Sequence, residues 1–200
     1  MCYAAKKVMS KIIQKEISFQ GPYGFLKSEK YPSILKSSLK KGIYVWTVPF
    51  GKNELIYYIG MTNRKFEERT AEHLKGYLSG EYGINDPEKL RKGEKIRIWD
   101  GLCRGGDLED FIQQHNVLFP KLLRLLSLYK IYVAPLDCEI RLIERIEAAI
   151  ADSLRKQDGI MGNFQEPDIR YKQRKESEEP VAVKIEYNSK IIGLPKTLIV

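Results

Sequence analysis

Residues 42–73, GIYVWTVPFGKNELIYYIGMTNRKFEERTAEH, decide the fold, because one run holds two strand patterns, a turn and the start of a helix. Residues 42–48 (GIYVWTV) and 54–60 (ELIYYIG) are dense in β-branched and aromatic side chains, and 49–53 (PFGKN) between them has turn chemistry. The run therefore predicts an antiparallel hairpin. With Val48 opposite Glu54, Tyr44 stands across from Tyr58 on one face and within contact distance, whereas a bulge would move one of them to the other face. Thr62 or Asn63 is expected to cap the next helix, on which Phe66, Arg69, Thr70, His73, Leu74 and Tyr77 recur at helical spacing. Arg69 and His73 lie one turn apart and face one place. Two phenols, a guanidinium and an imidazole are thus expected to converge. Trp46 and Tyr57 read as ordinary sheet aromatics. Tyr44 and Tyr58 are set apart by the cation and imidazole on the adjoining helix, which a purely apolar core does not call for.

Downstream, residues 129–133 (YKIYV) have strand character, and residues 138–156 predict a long amphipathic helix with Ile140, Ile143, Ile146, Ile150 and Leu154 as its apolar stripe. Glu147 lies beside that stripe, where a carboxylate is costly unless it is paired or holds a cation. Glu144 is the competing acidic residue, and an ion pair with Arg141 or Arg145 on the helix surface is the plainer use of either. Upstream, residues 3–17 fit a short amphipathic helix, ended by Gly21-Pro22-Tyr23-Gly24. The lysine-rich run 27–41 leads into the first strand and is a candidate for phosphate contacts or a solvated surface.

Residues 80–128 lie between the two halves of this pattern. Residues 96–99 alternate like a strand, Asp107 is expected to cap a helix from Leu108 to about Asn116, and Pro120 is expected to interrupt before an apolar helical segment at 122–128. His115 reads as an ordinary surface or core histidine. Residues 170–179 (RYKQRKESEE) read as a charged linker and 181–200 as a hairpin turning at Asn188-Ser189.

The 200 residues are enough for a sizeable core, and the net charge of +8 suits a polyanionic partner without requiring one. Three scattered cysteines, Cys2, Cys103 and Cys138, have neither metal-ligand nor disulfide-framework spacing, which favours a reducing compartment. With no stretch apolar for the length a bilayer requires, the chain reads as soluble and cytoplasmic, with no membrane partner.

The tripeptides Gly42-Ile43-Tyr44 and Tyr58-Ile59-Gly60, followed by Arg69 and His73 on the first helix, resemble the GIY-YIG nuclease family. The resemblance covers about residues 42–163. It implies an α+β fold: a small three-stranded antiparallel sheet flanked by helices, with a helical insertion at about 80–128 and, beyond the family domain, a C-terminal β-hairpin. It divides the chain into a helical arm (1–41), the nuclease domain (42–163) and a charged linker with hairpin (164–200). Glu147 takes the place of the family's metal-binding glutamate and Asn163 that of a later asparagine, although Gly159 and Gly162 stand where a proline often precedes it.

The activity so implied is hydrolysis of DNA, duplex or branched, with one divalent ion, Mg²⁺ or Mn²⁺, on Glu147. Tyr58 is the expected general base, Tyr44 or His73 assists its deprotonation, and Arg69 holds the scissile phosphate. A restriction-type enzyme is favoured over a mobile-element or structure-specific repair nuclease. A non-catalytic nucleic-acid-binding protein on the same scaffold is the alternative, and a structural protein with a tyrosine-rich core a third. Cutting both strands with one centre requires a homodimer or sequential nicking.

Overall fold

The computed structural model describes residues 13–161, 171–188 and 190–200. The chain runs through β1 (Ile13–Ser18), β2 (Gln20–Tyr23), β3 (Gly42–Phe50), β4 (Asn53–Thr62), α1 (Phe66–Leu78), β5 (Ile84–Asn85), α2 (Pro87–Leu90) and β6 (Arg97–Trp99). It continues through α3 (Leu108–Gln113), α4 (His115–Leu128), β7 (Lys130–Pro135), α5 (Ile140–Arg155), β8 (Val181–Glu186), β9 (Ile191–Ile192) and β10 (Thr197–Ile199). This is a mixed α+β fold built on a five-stranded sheet of order β2-β7-β3-β4-β9.

β3 is the centre of that sheet, antiparallel to β4 on one side and to β7 on the other. Its residues from Gly42 to Val48 are all buried, so both of its faces are covered. The turn is tighter than its sequence implies. Phe50 pairs with Asn53 across a two-residue loop begun by Gly51 at φ 58°, a position glycine fills without strain. A bulge then leaves Tyr57 unpaired between the Trp46–Tyr58 and Thr47–Ile56 pairs. Tyr44 consequently stands opposite Gly60, and Trp46 takes the expected place opposite Tyr58. The tighter loop and the bulge each displace the expected register by one residue, and together they return Tyr44 and Tyr58 to one face, with ring centroids 6.0 Å apart.

Both glycines of the hairpin have a steric reason. A Cβ on Gly60 would lie 2.4 Å from Tyr44 Oη, because the phenol crosses the strand there. A Cβ on Gly42, whose φ is 153°, would lie 2.1 Å from the Ala134 carbonyl oxygen of β7.

α1 begins at Phe66 behind Lys65, with no side-chain cap; Thr62 Oγ1 instead accepts from the Arg64 amide at 3.1 Å. Its inner face places Phe66, Thr70, His73 and Tyr77 in the core. α5 lies against β3 and β4 through Ile143, Ile146, Ile150 and Leu154, whereas Ile140 is exposed at its first turn.

The ends are woven into the sheets. The helix expected over 3–17 is a strand at Ile13–Ser18, paired in parallel with β8 from Ile13↔Val181 to Ser18↔Glu186; residues 1–12 lie outside the described residues. β8 and β10 do pair antiparallel, but no simple hairpin joins them, because the chain between them adds β9 to the edge of the large sheet alongside β4. Ser189, half of the expected turn, lies outside the described residues. Pro120 does not interrupt a helix: α4 runs through it, held by the buried stripe Leu118, Leu122, Leu125 and Leu126. Among the described residues no helix is long and apolar enough to cross a membrane.

Candidate active site

The sheet face that bears Tyr44, Trp46 and Tyr58 meets the inner face of α1. Tyr44 is the hub. Its Oη lies 2.8 Å from His73 Nε2 and accepts from Arg69 Nε at 3.4 Å. The hydroxyl of Tyr58 interacts with that of Tyr44. Arg69 also donates through Nη1 to Glu72 Oε2 at 3.0 Å, and the other oxygen of Glu72 takes Arg64 Nη2 at 2.7 Å. Glu72 therefore fixes the guanidinium that reaches the phenols.

Burial sets the charge states. It pushes Tyr44 well above the usual phenol range, with the neighbouring Tyr58 adding to the effect. Burial raises Tyr58 too, while the Tyr44 hydrogen bond and the Arg69 charge oppose the rise. Tyr58 is therefore the more readily ionised of the pair. His73 is held down to about 3 by burial and then by Arg69, so the imidazole is neutral at physiological pH. With its proton on Nδ1, its Nε2 accepts the Tyr44 hydrogen.

Glu147 comes to the same place from α5. Its carboxyl is raised to about 7, first by burial and also by the Glu144 charge, while a hydrogen bond from the Met61 amide and the Arg69 charge pull the other way. The Glu147 charge in turn acts on Tyr58. Among the described residues it has no side-chain ion pair. Glu144 is different: Lys172 Nζ lies 2.5 Å from its Oε1, Arg141 Nη1 donates to Oε2 at 3.4 Å, and these contacts hold its carboxyl below the usual range. Arg145 is committed elsewhere, with Nη2 donating to the Glu179 and Val200 carbonyls at 2.6 Å each.

Tyr44, Tyr58, Arg69 and His73 are therefore in mutual contact, and Glu147 is near enough for its charge to act with those of Tyr58 and Arg69. Asn163 lies outside the described residues. Among the described residues no three His, Cys, Asp or Glu side chains gather as a metal-ligand group.

Beside this cluster opens a cavity of about 270 Å³. Trp46, Tyr58 and His73 wall it on the sheet and α1 side, and Tyr82, Arg97 and Arg104 wall it on the side of the 80–128 segment. The bulge turns Tyr57 into the same cavity as Tyr58. Trp46 and Tyr57, expected as plain sheet aromatics, are buried in the core and also line this cavity. Trp46 shares the face of Tyr44 by alternation along β3, whereas the strand pattern carries no mark of the bulge that turns Tyr57. Glu72 did carry a signal, its i,i+3 spacing from Arg69.

A second concavity, of about 310 Å³, sits at the start of α1 between Lys40, Lys41, Arg64 and Lys65. Lys41 is partly engaged there, donating to the Cys138 carbonyl at 3.1 Å. No family model, curated protein or solved structure matches the chain.

Proposed function

We propose that the protein is a GIY-YIG-type endonuclease that hydrolyses phosphodiester bonds in DNA. The observation that carries this reading is the mutual contact of Tyr44, Tyr58, Arg69 and His73 in a basic protein, with the unpaired, half-buried Glu147 near enough for its charge to act with those of Tyr58 and Arg69. Support comes also from β7-β3-β4, an antiparallel trio within the five-stranded sheet, with α5 against β3 and β4 and His73 of α1 against Tyr44 and Trp46.

Glu147 fits a divalent ion. A carboxylate held out of water without an ion-pair partner is completed by a cation, and Mg²⁺ is commonly bound by one or two carboxylates with water and substrate phosphate as its other ligands. When bound there, Mg²⁺ or Mn²⁺ supplies charge neutralisation on the phosphate and help for the leaving oxygen.

The chain's own groups supply the rest. Arg69, oriented by Glu72, holds the scissile phosphate and balances charge as it builds on the phosphorus. Tyr58, in the ionised form that the Arg69 charge favours, accepts the proton of the attacking water, with Tyr44 hydrogen-bonded to it. A phenol with an ordinary pKa of about 10 is mostly protonated at neutral pH, so the Tyr44 hydrogen bond and the Arg69 charge, which both lower it, are what make it serviceable. Restriction-type cleavage is the favoured form, with structure-specific repair as the other.

The second reading is a non-catalytic nucleic-acid-binding protein, and the observation on its side is the upward displacement of both phenols. Tyr58→Phe separates the two. Under the nuclease reading it loses metal-dependent cleavage by at least about a hundredfold while keeping DNA affinity, as expected for loss of a general base. Cleavage at the unaltered rate removes Tyr58 from that role.

A further inference from the structure

The cavity beside Tyr58 has features that strand cleavage does not use. Its walls are largely aromatic, and Tyr82 stands at 86° to Tyr77, so the two rings form a corner. Tyr82 reaches this position because α1 carries Gly76, where a Cβ would lie 2.7 Å from its ring. Acceptors and cations stand around the same space in Asp100, Arg97 and Arg104. Arg69, the phosphate-holding residue of the proposed reaction, lies in the wall.

We propose that this cavity receives one unstacked nucleobase of the strand whose phosphate lies at Arg69. In this arrangement the Tyr82 ring offers the base a stacking face. A base suits the site because it joins a flat π surface to a phosphate a short distance away, and the aromatic walls and Arg69 match these in turn. At about 270 Å³ the space is large enough for a base. A base inside a duplex cannot enter it, so the strand must be single or locally opened where it is cut. The inference rests on the nuclease reading and narrows its substrate to a strand unstacked beside the scissile bond.

The test uses full-length Glu147→Gln protein, which binds without cutting, with Mg²⁺ at one fixed salt concentration. It is titrated with a short single strand carrying 2-aminopurine and with a fully abasic strand that has the same number of phosphates. The base-bearing strand is expected to bind about tenfold or more tightly than the abasic one, with 2-aminopurine fluorescence quenched on binding. Adding Tyr82→Leu removes the stacking face and adding Tyr82→Phe keeps it. The leucine variant is expected to lower affinity for the base-bearing strand severalfold and the phenylalanine variant to keep it, both leaving the abasic strand unaffected. Equal affinity for the two strands, or variants that weaken both alike, overturns the base pocket while salt-sensitive phosphate binding leaves the nuclease reading standing. Binding of neither strand overturns both.

Discussion

Replacing Glu147 by glutamine is expected to make the fold more stable at neutral and alkaline pH and to abolish the proposed cleavage. The carboxyl of Glu147 is raised from the ordinary 4.5 to about 7, chiefly by burial. The unfolded chain therefore releases this proton more readily than the folded one. Below about pH 4.5 both states hold the proton and the residue costs nothing; between 4.5 and about 7 the unfolded state ionises first, and folding stability falls as pH rises. Above about pH 7 the full difference is present. At about 1.4 kcal/mol per pH unit it amounts to about 3 kcal/mol, an order of magnitude set by a group that is only partly sheltered from water. Glutamine keeps the shape and never carries the charge. Urea denaturation at about pH 8.5 is expected to show the Glu147→Gln protein more stable by up to about 3 kcal/mol, and the two proteins are expected to converge at about pH 4. Mg²⁺ should raise the stability of the parent protein and leave the variant unmoved. Glu144→Gln is the control: it loses partly exposed ion pairs to Lys172 and Arg141, so it changes stability by at most about 1 kcal/mol and gains none at alkaline pH. A Glu147→Gln protein no more stable than its parent at pH 8.5, or equally displaced at both pH values, refutes the idea of a carboxylate held charged at the expense of the fold.

Two further outcomes follow from the hairpin and its histidine. Gly60→Ala places a Cβ 2.4 Å from Tyr44 Oη, and that phenol must leave His73 and Arg69 to make room; a loss of about 1–3 kcal/mol in urea melts, together with loss of cleavage, is expected. Gly42→Ala is expected to be worse in stability, since the intruded atom is a β7 backbone carbonyl oxygen 2.1 Å away and φ is 153°; equal tolerance of both alanines in urea melts contradicts this packing. His73, held neutral down to about 3, is protonated in the unfolded chain below about 6.5, so it lowers stability as pH falls through that window, opposite in sign to Glu147. Measured in the Glu147→Gln background, where the opposing slope is gone, that acid limb should flatten in His73→Gln, and an unchanged limb removes His73 as its source.

The centre of the fold was legible because its signals are local. The β-branched and aromatic density of β3 and β4, the 3.6-residue recurrence on α1 and the apolar stripe of α5 each follow from one stretch of chain. What was not legible depends on distant partners. β1 was taken for part of a helix because Ala4, Val8, Ile12 and Ile13 recur among lysines at a spacing a helix satisfies, and its strand state comes from pairing with β8 across most of the sequence. The edges β2 and β9 likewise exist through β7 and β4. Pro120 was read as a break by propensity, and four buried leucines outweigh it. Within the site, Tyr44, Tyr58, Arg69 and His73 were found by residue type and spacing. Trp46 follows Tyr44 on the same face of β3 and was read as a sheet aromatic, and the bulge that turns Tyr57 to the cavity leaves no trace in the sequence. Tyr82, Arg97 and Arg104 come from the 80–128 segment, whose approach to the site is a matter of tertiary packing.

The central claim is tested most directly by incubating the purified protein with supercoiled plasmid, linear duplex, branched and single-stranded DNA, in Mg²⁺ or Mn²⁺ and in EDTA, beside Glu147→Ala. The account predicts strand scission that needs the metal and is absent from the variant. No scission of any of these substrates with metal present, or scission that persists unchanged in Glu147→Ala, contradicts it.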